Sequence, residues 1–168
     1  MKKLTHLDDA GTARMVDVGE KAVTRRVAIA QAIVRLAPET LALLLAGNLP
    51  KGDALACSRI GAVMAAKRTA ELIPLCHTLP LSFVDINFEI SEEPAQIRIL
   101  AEARCAGRTG VEMEAIIAAQ TAAAIIYDMA KAVQRDIVIT DTRLLYKNGG
   151  KSGEFRAPGF TAAVNAEA

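Results

Sequence analysis

Apolar and polar positions follow two rhythms along this chain. Between residues 22 and 36, Val27, Ile29, Gln31 and Ile33 interleave with Ala28, Ala30, Ala32 and Val34. The alternation suits a strand and the alanines suit a helix; the strand is the preferred reading. Residues 15–18, Met-Val-Asp-Val, form a shorter strand candidate. A helix is expected to begin at Pro38 and stop at Gly47. The turn Pro50-Lys51-Gly52-Asp53 leads into a helix over residues 54–72, with Asp53 as its N-cap and Pro74 just past its end. Residues 81–90 and 96–106 read as the two strands of a hairpin around Ser91-Glu92-Glu93-Pro94. Gly107-Arg108-Thr109-Gly110 breaks the pattern, and residues 111–133 form the longest helix. Residues 137–140 and 143–146 make a last strand or a bent strand pair. The order is β, paired helices, β, β, helix, β. It predicts an α+β fold, a ferredoxin-like αβ-sandwich with helices on one face of an antiparallel sheet.

The long helix carries a thin polar stripe. At about 100° per residue from Glu112, the side chains of Glu114, Gln120, Thr121, Tyr127, Asp128 and Lys131 fall within one sector of roughly 60–200°. Such a stripe is usually a solvated face. Here the helix is otherwise apolar, so much of it is expected to be buried, and a buried carboxylate needs a partner. Lys131 stands three residues after Asp128 and can supply it. Glu114 and Asp128 lie fourteen residues apart, or roughly 21 Å along a straight helix. One small ligand cannot touch both carboxylates of one helix. Either the ligand is extended, or the stripe faces another subunit.

Composition narrows the function classes. The chain has 168 residues, one domain by length, 52% of them hydrophobic, which excludes a disordered chain. Residues 1–155 read as a single catalytic domain and residues 156–168 as a flexible tail. Twenty Lys and Arg against 19 Asp and Glu exclude a generally basic surface, so neither nucleic acid nor a charged membrane is an expected partner. Any anion must be held by a local cluster of cations. No uninterrupted apolar run approaches the roughly 20 residues that span a bilayer, and Lys2-Lys3 is followed by polar residues rather than a signal core. Cys57, Cys76 and Cys105 form no close pair, which argues against disulfides or structural zinc and fits a cytoplasmic protein.

The cations point to phosphate. Lys51-Gly52 precedes a helix N-terminus, where free N–H groups favour an anion. Lys67 and Arg68 follow on that helix. Tyr146-Lys147-Asn148-Gly149-Gly150-Lys151-Ser152-Gly153 is a glycine-rich loop that fails the P-loop pattern, since Leu145 stands where glycine is required. It reads either as a flexible lid or anion-binding loop, or as a soluble hairpin turn or tail. Cys76-His77 is too small a group for zinc. His77 is read either as a structural residue or as a hydrogen-bonding or proton-transfer group.

Seven segments then occur in one order and spacing: Met15-Val16-Asp17-Val18, Lys51-Gly52-Asp53, Ala66-Lys67-Arg68-Thr69, Ile73-Pro74-Leu75-Cys76-His77, Thr109-Gly110-Val111-Glu112-Met113-Glu114, Tyr127-Asp128-Met129 and Gly149-Gly150-Lys151-Ser152-Gly153. Together they resemble the molybdenum cofactor biosynthesis protein C family, the cyclic pyranopterin monophosphate synthases, over residues 4–155. The resemblance implies conversion of 3′,8-cyclo-7,8-dihydro-GTP to cyclic pyranopterin monophosphate and pyrophosphate, by a homohexamer built as a trimer of dimers. It implies a catalytic carboxylate at Asp128, with Lys131 beside it and Lys51 in the active site. Leu75, Cys76, His77, Met113 and Glu114 resemble substrate-binding positions, and Glu112, Lys67 and Lys147 resemble further ones. Thr78, Arg108 and Ala130 depart from the family's usual proline, lysine and cysteine. With sites between subunits, Lys51 of one chain is expected to meet Asp128 of another. Nothing in the sequence requires a cofactor or forms an acidic metal cluster; magnesium bound through the substrate's phosphates would leave little trace. A regulatory nucleotide-binding module and an oligomeric scaffold are the rival readings.

Overall fold

A computed structural model describes residues 11–161. Five strands make one antiparallel sheet in the order β2-β3-β1-β4-β5. β1 is Thr24–Arg35, β2 Leu81–Glu92, β3 Ala95–Gly107, β4 Val138–Asn148 and β5 Phe155–Arg156; the helices are α1 Pro38–Leu45, α2 Ala54–Lys67, α3 Thr69–Leu72 and α4 Glu112–Ala130. The β-α-β-β-α-β order, with β1 between β3 and β4, is the expected ferredoxin-like sandwich.

β1 settles the ambiguity between strand and helix. Its even positions, Ala28, Ala30, Ala32 and Val34, are completely buried beneath the helices. Ala115, Ala118, Ala119, Ala122 and Ala123 of α4 are buried in the same cluster. Small side chains on both surfaces let helix and sheet approach closely, so the alanines that suggested a helix instead make room for one. α2 packs beside α4, where the Ser58 hydroxyl donates to the Ala122 carbonyl at 2.8 Å. Asp53 caps α2 as expected, its carboxylate accepting from the Ala56 N–H at 2.9 Å.

α4 is long and apolar enough to cross a membrane by length and composition, but half of it is buried in this fold. It is the core helix. The polar stripe is not buried as a whole: Glu114 is buried, whereas Gln120 and Asp128 are exposed. Residues 15–18 do not form a strand either; they carry no regular secondary structure. The last strand is one element with a bulge, at which Asp141 takes a positive φ of 49° and its carboxylate accepts from the buried Gln31 amide at 2.6 Å.

A smaller apolar cluster on the opposite face contains Val27, Ile29, Leu145, Tyr146, Ala157 and Phe160. Residues 155–160 therefore stay on the sheet past the domain boundary expected at 155: Phe155 and Arg156 pair with β4, and Ala157 and Phe160 are buried. The end of the expected tail, from residue 162, lies outside the described residues, as does His6.

Candidate functional site

The start of α4 carries the one buried carboxylate among the described residues. The carboxylate of Glu112 folds back over Gly110, where a Cβ would overlap it. One half-turn on, Glu114 is only 4% exposed. Burial pushes its carboxyl above the usual range; its own backbone N–H opposes that shift and the neighbouring charge of Glu112 adds to it.

Facing Glu114 is the segment after α3. Leu75, Cys76 and His77 line a cavity of about 350 Å³ together with Glu112, Met113 and Glu114. His77 Nε2 sits 2.8 Å from the Val16 carbonyl. A carbonyl only accepts, so the ring donates through Nε2 and turns Nδ1 the other way. This bond is what residues 15–18 do in place of strand pairing. Burial, then the charge of Glu114, pushes the Cys76 thiol up. Cys76 is thus held as a thiol, suited to lining a pocket rather than to attack.

A second cavity, of about 620 Å³, adjoins the first, and the two share Lys21, Thr109, Gly110 and Glu112. Lys21, Arg26, Arg108, Lys147 and Lys151 line it against the single carboxylate of Glu112. Arg26 is anchored by its Nε donating to the Gly107 carbonyl at 3.2 Å. The Gly149-Gly150 backbone lies directly on Arg25 and Arg26; a Cβ at Gly149 would overlap the Arg25 carbonyl and one at Gly150 the Arg26 guanidinium. Both glycines have positive φ, 106° and 73°. A chain with almost no net charge thus concentrates cations around one polar pocket, which suits several phosphates.

The third group lies at the other end of α4. Asp128 accepts from Lys51 and from Lys131, each at 2.6 Å. Hydrogen bonds, from Lys131 first and then Lys51, lower its carboxyl to about 2, and Lys131 is raised in return. All three side chains are about half exposed. Both members of the Asp128–Lys131 pair therefore stay ionised at neutral pH, and the free chain does not hold them ready to exchange protons.

The expected site residues thus fall into three places. Leu75, Cys76, His77, Glu112, Met113 and Glu114 are brought together, and Lys147 joins Glu112 across the second cavity. Lys51, Asp128 and Lys131 form a separate triad, which corrects the expectation that Lys51 and Asp128 of one site come from different chains. Lys67 is exposed at the end of α2 and lines neither cavity. Sequence reasoning missed Lys21 and Arg26. Arg26 had a signal: it continues the even positions of β1, and a charge in that apolar series must sit where the core ends.

Comparison with known proteins agrees on one family. The family model described as the MoaC family matches residues 15–150. A cyclic pyranopterin monophosphate synthase of Desulfovibrio desulfuricans is 66% identical over 154 residues, covering 92% of this chain and 94% of that protein. One from Herpetosiphon aurantiacus is 61% identical over 92% of this chain and 94% of the relative. One from Pelotomaculum thermopropionicum is 52% identical over 96% and 95%.

Proposed function

The chain belongs to the MoaC family and carries out cyclic pyranopterin monophosphate synthesis, a lyase reaction of molybdenum cofactor biosynthesis, and we propose how its residues divide that work. The substrate, 3′,8-cyclo-7,8-dihydro-GTP, carries a purine-derived ring system at one end and a triphosphate at the other. The observation that carries our reading is the pair of adjoining cavities, one holding a buried carboxylate and the other ringed by cations. The triphosphate lies in the second cavity against Lys21, Arg26, Arg108 and Lys147. Attack within the substrate forms a new bond to the α-phosphorus and breaks the α–β bridge. The positioned cations stabilise the pyrophosphate as charge develops on it. The rings enter the first cavity, where Glu114 has a raised affinity for a proton and serves as an acid/base group. Leu75 and Met113 supply its apolar walls.

Asp128, Lys51 and Lys131 stand roughly 21 Å from Glu114 along α4, too far to share one small substrate within a chain. We assign them to the site of a neighbouring subunit, in a homohexamer built as a trimer of dimers. There, substrate and partner surface cover the triad, and water no longer holds its charges. Loss of that water raises the affinity of Asp128 for a proton and lowers that of Lys131, toward the range useful for opening one ring and closing the next. Among the described residues no group of three or more His, Cys, Asp or Glu is placed to hold a metal. We propose that magnesium, where used, comes with the substrate's phosphates.

The test is to incubate the purified protein with the cyclised GTP intermediate and follow pyrophosphate and cyclic pyranopterin monophosphate together. Equal release of both supports the reading. Binding without turnover would instead identify a regulatory nucleotide module.

A further inference from the structure

Lys147 is already occupied in the free chain. Its ammonium donates to the Ser152 hydroxyl and, at 2.8 Å, to the Gly153 carbonyl. Both acceptors are neutral, and both belong to the loop that Lys147 itself begins. The loop is folded to make this possible. The Asn148 side chain accepts from the Gly149 N–H at 2.7 Å, and the Gly153 N–H closes a turn on the Gly150 carbonyl at 3.1 Å. Gly149, Gly150 and Gly153 all take positive φ. The Gly149-Gly150 end is fixed against Arg25 and Arg26, whereas Lys151 and Ser152 are exposed at the rim of the cationic cavity.

We propose that Ser152 is a positioning residue, a resting latch that holds Lys147 until a polyphosphate displaces it. This inference rests on reading the second cavity as the polyphosphate subsite. An ammonium bonded to a phosphate oxygen makes a charge-assisted bond, stronger than one to a hydroxyl or a carbonyl. A pyrophosphoryl group therefore takes Lys147 from Ser152, and the lysine turns from its loop into the cavity. As pyrophosphate departs, the latch re-forms. No covalent step is involved; the ligand has only to replace the two acceptors that Lys147 uses at rest.

The experiment measures the affinity of the full-length protein for inorganic pyrophosphate by calorimetry at fixed ionic strength. Ser152→Ala removes one resting acceptor, so binding should tighten by about three- to tenfold. Ser152→Thr keeps the hydroxyl and should bind as the wild type does. Lys147→Ala should weaken binding, and adding Ser152→Ala to it should then change nothing, because the latch has lost its bolt. If Lys147→Ala weakens binding but Ser152→Ala leaves it unchanged or weaker, the latch is overturned while the polyphosphate subsite stands. If Lys147→Ala has no effect on pyrophosphate, the subsite reading itself fails, and the latch with it.

Discussion

Asp128 and Glu114 are carboxylates on one helix with opposite acid–base behaviour. Asp128 is held at about 2 by two lysines in water. Its ion pairs are fully formed above the ordinary carboxylate pKa and are lost as the pH falls from there to about 2. Half exposed, they add little to stability, so Asp128→Asn should fold normally, with a melting temperature close to that of the wild type, and lose most turnover. Near-normal turnover by the folded variant would remove Asp128 from the reaction. Glu114 is the reverse case. Its folded-state pKa is raised, so the native state grips the proton more tightly than the unfolded chain. Stability then falls as the pH rises from the ordinary carboxylate range through the raised value. Glu114→Gln should therefore melt higher than the wild type at pH 8 and less so at pH 4, while losing activity. An equal difference at both pH values would show that the carboxylate is not burdened by burial. The sequence exposed both residues as part of one polar stripe. It could not tell which end was covered, because periodicity defines a face and not the neighbours that bury part of it.

Elements were more legible than side-chain environments. The hairpin of β2 and β3, the cap at Asp53 and the long helix follow from alternation, capping chemistry and period. β1 was ambiguous because alanine reports only that space is scarce, and a close helix–sheet contact needs small residues as much as a helix does. Residues 15–18 alternate like a strand, yet their partner is the His77 ring, which no local pattern announces. Two substitutions test the element-level account. Asp53→Ala removes the cap of α2 and should cost about 1 kcal/mol in denaturant unfolding. It should also weaken turnover, since Lys51 is carried by the same turn. Ile126→Ala empties a completely buried position of α4 and should cost about 2–5 kcal/mol. A cost well under 1 kcal/mol would mean that α4 is not packed as described.

At the scale of the whole molecule, one chain holds two separated groups of candidate site residues. Residues around the two cavities lie at one end of α4, and the Lys51–Asp128–Lys131 triad lies at the other. The family resemblance pointed to sites between subunits without giving their division, and spacing in sequence does not reveal that the turn before α2 comes down beside the end of α4. On the proposed assembly, each complete site takes the triad from one subunit and the cavities from its neighbour. The most direct test mixes two inactive proteins under conditions of demonstrated subunit exchange and measures pyrophosphate release. Asp128→Asn mixed with Glu114→Gln should regain part of the activity, since some interfaces then unite an intact triad with intact cavities. Lys51→Ala mixed with Asp128→Asn should stay inactive, because both substitutions damage the same half. No recovery in the first mixture, or recovery in the second, would contradict the division of the site between subunits.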